Sequence, residues 1–254
     1  MYINTQYLTE LNLSHNQLKI LPDNTFSTLS NLTSLDLSFN PLITTNFKEL
    51  LLNIPQLRFL NLKSTGLYTV PTMYLNYLVE LDLSGNEIQD VDSLLDLKYL
   101  RKLVISDNKI FNITTLARNL PPSLRSLDIS RNPIRKISLH DFTPIRRLEE
   151  MAIEDVKISN TDAFIKLHSL KTLRINSQHN FSEIVSKLRG LRELYINFFD
   201  HRLDGKYFGK MLSNTKLNLI DISGSKLRSI ASNAFHGLVR NVNLKIQIRK
   251  TMIR

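Results

Sequence analysis

Apolar residues recur in one short phrase along the whole chain. LDLSFNPL at residues 35–42 returns as LDLSGNEI at 81–88 and as LDISRNPI at 127–134, with related copies at 60–67 and 103–110. Self-similarity at so short a period is typical of a repeat array. Written as L-x-x-L-x-L-x-x-N-x-L, the phrase starts every 21–26 residues, at Leu8, Leu32, Leu57, Leu78, Leu100, Leu124, Leu148, Leu170, Leu191 and Leu217, with a partial copy from residue 243.

The centre of each phrase alternates apolar and polar positions, which predicts a short strand with one buried face. Stacked copies of such a unit form a parallel sheet, and each copy buries its leucines only against its neighbours. We therefore expect one array over residues 1–254 without an internal boundary. The sequence contains no recognisable terminal cap, so we expect this array to be uncapped.

The asparagine of the phrase has a chemical role in the turn that follows each strand. Backbone N–H and C=O groups in a buried turn need partners, and an asparagine amide can both donate and accept. The pattern predicts a ladder that bonds the turns of successive repeats, formed by Asn16, Asn40, Asn86, Asn108 and Asn132. Thr65 interrupts this column once. We expect the ladder to lapse beyond residue 132, where the same position holds Val156, Gln178, Phe199 and Ser225.

A second apolar pair, most often F-x-x-L, recurs on the other side of the repeat, as in Phe26/Leu29, Phe47/Leu50 and Phe164/Leu167. Residues that recur with the structural period usually belong to the core, so we interpret this pair as a packed spine. The phrase, the most frequent repeat length of 24 residues and this phenylalanine together resemble the typical extracellular class of leucine-rich repeats.

This resemblance implies an α/β leucine-rich-repeat solenoid, a curved horseshoe with a parallel β-sheet on its concave face. Short helices, 3-10 turns and loops are expected on the convex face. Members of this class bind other proteins and are usually not catalysts. The SHNQL, SGNEI and SRNPI turns and the basic C-terminal end look most like those of chaoptin-type insect cell-surface adhesion proteins. Toll-like receptor and connectin-like ectodomains share the same motifs.

Charge at the exposed strand positions suggests where a partner binds. The chain carries a net charge of +10, yet the strand positions are mostly acidic. The candidates for partner binding are Asp36, Glu80, Asp82, Lys102, Asp128, Glu150, Glu154, Arg174 and Glu193. Basic residues instead follow the first leucine of several repeats and form an edge column of Arg58, Arg101, Arg125, Lys171 and Arg192. These positions predict a charge-segregated solenoid. The alternative is that neighbouring acids and bases neutralise one another along the stack.

Two other functional classes are disfavoured by the sequence. Nucleic-acid binding needs basic residues on one track with aromatic rings nearby, whereas we expect the one broad groove to be acidic. Catalytic motifs are also missing, since there is no cysteine and no G-x-S-x-G or phosphate-loop sequence. His179 and His201 occupy equivalent offsets in adjacent repeats, but we interpret them as a solvated pair. We expect a non-catalytic protein without a metal or other cofactor.

The compartment is indicated mainly by the repeat class. The start MYINTQYLTE lacks the basic and apolar regions of a signal peptide, and no apolar run has the roughly 18 residues of a membrane span. The absence of cysteine indicates either a reducing compartment or disulfide-bonded caps outside this chain. We expect a glycoprotein segment of a cell-adhesion or receptor ectodomain, with membrane attachment only through segments outside this chain. The alternative is an intracellular leucine-rich-repeat scaffold in the cytoplasm.

Four N-x-S/T sequons mark possible N-glycosylation sites, at Asn12, Asn31, Asn112 and Asn180. Random placement at this content of Asn, Ser and Thr predicts about the same number, so their count does not discriminate between compartments. The partner expected from the repeat class is another protein or a second copy of this chain, which would make binding homophilic.

Overall fold

A computed structural model describes residues 5–135, 137–158, 160–177, 181–197, 202–205, 207–208, 216–224, 226–236 and 243–249. The chain forms two compact units, Met1–Pro133 and Ile134–Arg254. Both contain repeated short strands followed by turns and short helices. Each strand of the main sheets begins two residues after the leucine or asparagine that starts its repeat.

The strands of the first unit are three residues long and follow one another in chain order. They are β1 (Glu10–Asn12), β2 (Ser34–Asp36), β3 (Phe59–Asn61), β4 (Glu80–Asp82), β5 (Lys102–Val104) and β6 (Ser126–Asp128). Neighbouring strands pair in parallel, and equivalent leucines are aligned in register, as for Leu60 and Leu81. This alignment places one buried leucine from each of β2 to β6 on the same face of the sheet, while Leu11 of β1 is half-buried.

The second unit contains a similar parallel sheet and a small separate one. The strands are β7 (Glu150–Ala152), β8 (Thr172–Asn176), β9 (Glu193–Asn197), β10 (Arg202–Leu203), β11 (Leu219–Asp221), β12 (Ser229–Ile230) and β13 (Lys245–Gln247). The main sheet has the order β7, β8, β9, β11 and β13. Strands β10 and β12 pair with each other in parallel and form a separate two-stranded sheet.

Short helices follow several strands. The α-helices are α1 (Phe47–Leu52), α2 (Ile113–Asn119) and α3 (Phe181–Lys187), and 3-10 helices span Thr5–Tyr7, Asp92–Asp96 and Thr161–Lys166. The side chains of Asn46 and Asn112 cap α1 and α2 by accepting backbone N–H bonds from the first turn. These caps explain why each of the two helices starts directly after an asparagine.

The phenylalanine spine belongs to the core. Phe26, Phe142, Phe164 and Phe208 are at most 1% exposed, and the rings of Phe142 and Phe164 meet edge to face with centroids 5.2 Å apart. Together with the strand leucines, these rings fill the space between the sheet and the helical side of each unit. The predicted leucine-rich-repeat solenoid with a parallel sheet is confirmed.

The residue before the ladder position adopts a left-handed backbone in most described turns. Positive φ values occur at His15, Phe39, Ser64, Gly85, Asp107, Arg131 and Asp155. Left-handed geometry turns the chain sharply out of the strand, and non-glycine residues tolerate it only when the surrounding contacts hold them there. The hydrogen bonds of the following asparagine provide this restraint in the first unit.

Lys187 ties α3 to the preceding 3-10 helix in the second unit. Its ammonium group, on a side chain only 17% exposed, lies 2.9 Å from a Glu183 oxygen and also contacts Asp162 and Thr161. Burial lowers the pKa of Lys187, but hydrogen bonds to Asp162 and Glu183 outweigh this effect and raise the pKa above its ordinary value. This cluster packs one repeat against the next, and we interpret it as structural.

Candidate functional site

Buried asparagines bond the turns of the first unit. Asn86 is 4% exposed, and its Nδ2 donates to the carbonyls of Leu62 in the preceding repeat and Leu83 in its own, both at 2.9 Å. Its Oδ1 accepts the backbone N–H groups of Thr65 and Leu67 at 3.0 Å. Each amide therefore links two repeats, which stabilises the strand ends that present the candidate site.

The same arrangement recurs at other predicted ladder positions. Asn40, Asn108 and Asn132 are nearly inaccessible and also donate backward to the preceding repeat. Asn16 is exposed and donates within its own turn, to Leu13 and Ser14. Thr65, which replaces asparagine in this column, donates its hydroxyl to the carbonyl of Leu62 at 2.8 Å.

The corresponding positions of the second unit differ. Val156 is buried and apolar, while Gln178, Phe199 and Ser225 lie outside the described residues. Asn176, the last residue of β8, is fully buried and donates to Asp155. Its Oδ1 has no hydrogen-bond partner. In the described part of the second unit, the turn after β7 therefore lacks the asparagine bonds seen in the first unit.

The strand aspartates have a structural role that the sequence analysis missed. One carboxylate oxygen of Asp36, Asp82 and Asp128 accepts the backbone N–H two residues further on, at 2.8 to 2.9 Å. Asp221 in the second unit does the same. These bonds are Asx turns, which terminate the strand. The repeated D-x-S spacing in the sequence could have predicted these turns. The second oxygen of Asp36 accepts a hydrogen bond from the Asn61 Nδ2 at 3.1 Å.

A shallow groove of about 240 Å³ lies on the exposed face of β2–β5 in the first unit. We call it the strand-face groove, and its charged lining residues are Asp36, Glu80, Asp82 and Lys102. Lys102 pairs with Glu80 across adjacent strands at 3.1 Å, and both side chains are nearly half exposed. Local neutralisation therefore does occur, but two aspartates remain in the groove without a matching base in its lining.

The centre of the strand-face groove is less polar than the charges alone suggest. Phe59 is 41% exposed, and the lining also includes Asn61 on the same strand and Val104 on β5. None of these three was a sequence candidate, because only charged residues were considered. Their positions next to the repeat leucines could have identified them from the sequence as exposed strand residues. An exposed ring within a charged border is the composition found at the centres of protein interfaces.

Strands β8 and β9 of the second unit bring two predicted candidates together around an unpredicted tyrosine. The guanidinium of Arg174 lies 4.0 Å from the Tyr195 ring centroid, a cation–π contact. The Tyr195 hydroxyl donates to a Glu193 oxygen at 3.2 Å. Burial and then the Glu193 carboxylate raise the pKa of Tyr195 above its ordinary value.

The remaining candidates belong to different units or to a turn. Asp128 ends β6 in the first unit, whereas Glu150 begins β7 in the second. Glu154 lies in the turn after β7 rather than on a strand. The equivalent position, directly after the last repeat leucine, holds a buried serine in most repeats of the first unit, whereas Glu154 is half-buried.

The turns beside the strand face carry their own contacts. The rings of His15 and Phe39 stack with centroids 4.2 Å apart, and the Lys63 ammonium lies 5.5 Å from the Phe39 ring centroid. Asp107 accepts two hydrogen bonds from the Arg131 guanidinium, at 2.7 and 2.8 Å. These bonds hold the pKa of Asp107 below its ordinary value.

A second and larger groove, of about 450 Å³, lies at the edge where the strands of the first unit begin. We call it the edge groove, and it is lined by Thr33, Gln56, Arg58, Tyr77, Val79, Tyr99 and Arg101. The edge groove carries two arginines and two tyrosines, in contrast to the acidic lining of the strand-face groove. Tyr77 and Tyr99 precede the repeat leucines, so counting charges alone did not associate them with the edge arginines.

The described sequons are accessible. Asn12 lies on β1, Asn31 donates its Nδ2 to the carbonyl of Gln6, and Asn112 uses its Oδ1 to cap α2. All three residues are exposed. Asn180 lies outside the described residues, as do His179 and His201. Among the described residues, no group of three potential metal ligands occurs, and no helix is long and apolar enough to cross a membrane.

The stacked parallel strands, the repeated apolar spine and the bonded asparagine turns define a leucine-rich-repeat protein. Family models described as leucine-rich repeats match residues 6–67, 74–92 and 123–145. The chain belongs to the leucine-rich-repeat family.

Most of the similar proteins are extracellular or cell-surface proteins with leucine-rich repeats. Chaoptin of Drosophila melanogaster is 30% identical over 199 residues, covering 74% of this chain and 15% of that protein. Podocan of Mus musculus is 27% identical over 279 aligned positions, covering 88% of this chain and 45% of podocan. Toll-like receptor 2 type-1 of Gallus gallus is 33% identical over 147 residues, covering 56% of this chain and 17% of that receptor. The chain thus spans less than half the length of each of these relatives.

Proposed function

We propose that this chain is a protein-binding segment of an extracellular adhesion or receptor protein and that the strand-face groove contacts the partner. The similarity to chaoptin, podocan and a Toll-like receptor supports this class and compartment. The observation that carries the proposal is the exposed Phe59 ring within the charged border of the groove. Binding of this kind requires no catalysis.

The rigidity of the groove supports this assignment. Its floor is formed by adjacent strands paired in register, with Leu60 and Leu81 buried beneath it. The asparagine and aspartate bonds hold the ends of these strands. A surface fixed in this way loses little conformational entropy when a partner binds, and this improves affinity.

The charge of the groove indicates the complementary surface. Asp36, Glu80 and Asp82 oppose the single charge of Lys102 among the lining residues, so the groove favours a partner with exposed basic side chains. Charge complementarity mainly accelerates association and selects among partners. A second copy of this chain, with its overall charge of +10, also offers basic surfaces, and homophilic binding is therefore part of the proposal.

The test uses beads coated with the protein and cultured cells. We expect the beads to attach to cells, and we expect mild trypsin treatment of the cells to abolish attachment because the partner is a protein. Bead clustering without cells measures homophilic binding. The combined variant Asp36→Asn, Glu80→Gln and Asp82→Asn should reduce attachment severalfold, since it removes three charges. It keeps the oxygens of residues 36 and 82 that accept the turn bonds and gives up only the bond from Asn61 to the second oxygen of Asp36.

The matched control removes three charges elsewhere, with Asp23→Asn, Glu49→Gln and Asp96→Asn. These residues lie outside both grooves, so attachment should remain at the level of the unmodified protein. Attachment that survives trypsin treatment, or that falls equally in both variants, would contradict the proposal. For the compartment, a mobility shift of the native protein after N-glycosidase treatment is expected, whereas unmodified native protein in cytosol would favour the scaffold alternative.

A further inference from the structure

The edge groove consists of two rows of side chains held by a continuous backbone ladder. The N–H of Arg58 donates to Thr33, Val79 donates to Arg58, and Arg101 donates to Val79, each at 2.8 Å. These residues form the first row, with Val79 between the two arginines. The second row, two residues earlier in each repeat, contains Gln56, Tyr77 and Tyr99.

The two arginines of the groove differ from the other basic groups around them. In the part of the chain that the structure describes, the side chains of Arg58 and Arg101 have no ion pair and no hydrogen bond, and both residues are exposed. By contrast, Arg125 in the next repeat directs its guanidinium to the carbonyls of Ser123 and Leu124. Lys102 is paired with Glu80. Two uncompensated guanidinium groups therefore border one groove.

We propose that the edge groove binds an extended acidic segment of a partner protein, with two carboxylates three residues apart. Each guanidinium would bind one carboxylate through paired hydrogen bonds, the geometry that arginine favours. Tyr77 and Tyr99 are 55% and 63% exposed and lie beside this row, where their rings can pack against the peptide backbone and apolar side chains. This surface is separate from the strand-face groove.

The spacing of the arginines matches a polyproline II peptide. Neighbouring strands in a sheet are about 4.8 Å apart, so equivalent residues two strands apart are separated by roughly 10 Å. A polyproline II helix rises about 3.1 Å per residue with three residues per turn, which places residues i and i+3 on one side about 9 Å apart. Aromatic-lined grooves commonly bind this conformation, because its ordering entropy is already low. In an extended β-strand, residues i and i+3 point in opposite directions.

A long polyanion fits the groove less well. Heparin-like chains and nucleic acids bind along tracks of basic residues. Here the track is interrupted, since Thr33 is neutral on one side and Arg125 is engaged with backbone carbonyls on the other. The uncompensated charge is confined to two residues separated by a valine, which favours a short motif with two anionic groups.

The experiment measures fluorescence anisotropy of labelled peptides with the protein. The test peptide repeats Glu-Pro-Pro, which favours polyproline II and places glutamates three residues apart. Control peptides repeat Gln-Pro-Pro or carry the same glutamates next to one another. We expect saturable binding of the test peptide and at least about tenfold weaker binding of both controls, the loss expected when a charge-assisted pair is not formed.

Variants assign the binding to the groove. Arg58→Gln and Arg101→Gln should each weaken binding about tenfold, Arg101→Lys should weaken it less, and Tyr99→Ser should also weaken it. Arg118→Gln, on the helical side, is the control that should leave binding unchanged. The urea midpoint of every variant should stay that of the parent, because these side chains are exposed.

Three outcomes would overturn the proposal. The first is no saturable binding of the test peptide at millimolar concentration, and the second is binding that is unaffected by the Arg58 and Arg101 substitutions. The third is tight binding of heparin or oligo(dT) that depends on these arginines when the peptide does not bind, which would identify a polyanion site. None of these results bears on the strand-face groove, whose test uses different residues.

Discussion

Replacing Asn86 by leucine should destabilise the first unit by an amount that can be worked out from its hydrogen bonds. Leucine keeps the approximate volume but neither donates nor accepts. The carbonyl of Leu83 would still receive the Nδ2 of Asn108 at 2.9 Å, and that of Leu62 would still receive the Thr65 hydroxyl at 2.8 Å. The groups left without a partner are therefore the backbone N–H groups of Thr65 and Leu67.

A buried donor without a partner costs about 1–3 kcal/mol, so two such donors predict a loss of about 2–4 kcal/mol when some relaxation is allowed. Asn108→Leu is a matched control with one orphaned donor, the N–H of Ile88, because the carbonyls of Leu83 and Ile105 retain bonds from neighbouring asparagines. Its loss should be roughly half as large. Asn16→Leu, at an exposed position, should cost less than about 0.5 kcal/mol.

Urea unfolding followed by circular dichroism measures these differences. Hydrogen exchange of the Thr65 and Leu67 amides provides a local readout, which is useful because repeat arrays do not always unfold in one step. Both amides should exchange faster in Asn86→Leu. Equal losses for the Asn86 and Asn108 variants, or a loss below about 0.5 kcal/mol for Asn86→Leu, would show that the turn donors find water or other partners.

Three further predictions concern the turns and the strand ends. Asp82→Ala should cost about 1 kcal/mol in urea unfolding because the Ser84 N–H loses its acceptor, whereas Asp82→Asn should cost much less. The lowered pKa of Asp107 means that its pair with Arg131 stabilises the fold above the ordinary aspartate pKa and loses this contribution as pH falls through the lowered value. Arg131→Gln should therefore cost less than about 1 kcal/mol at pH 7 and progressively less as the solution is acidified below the ordinary aspartate pKa, and a cost independent of pH would contradict this linkage. Turn amides bonded to an asparagine side chain should exchange more slowly than those of residues 156–158, and equal protection would oppose a role for the ladder.

The repeat phrase determined the architecture by itself. Each repeat is built from local features: a short strand, a turn and a segment that packs back against the sheet. Because each copy contacts only its neighbours, the period of the leucines is sufficient to place every strand of the main sheets. The asparagine positions were visible for the same reason, since a polar residue at one point of an apolar period must serve the turn. The strand aspartates were visible too, but their D-x-S spacing was interpreted only as surface charge.

Tertiary structure decided which exposed residues share a surface. Tyr77 and Tyr99 adjoin Arg58 and Arg101 because side chains two positions apart in sequence form parallel rows once the repeats stack. The sequence also could not show which charged side chains already have a hydrogen-bond or ion-pair partner in the fold. Arg125 is engaged with backbone carbonyls, while the equivalent Arg101 is not, and that difference depends on rotamers and loop geometry in each turn. Period and composition specify the scaffold, but the availability of a charge for binding depends on contacts that only the folded chain forms.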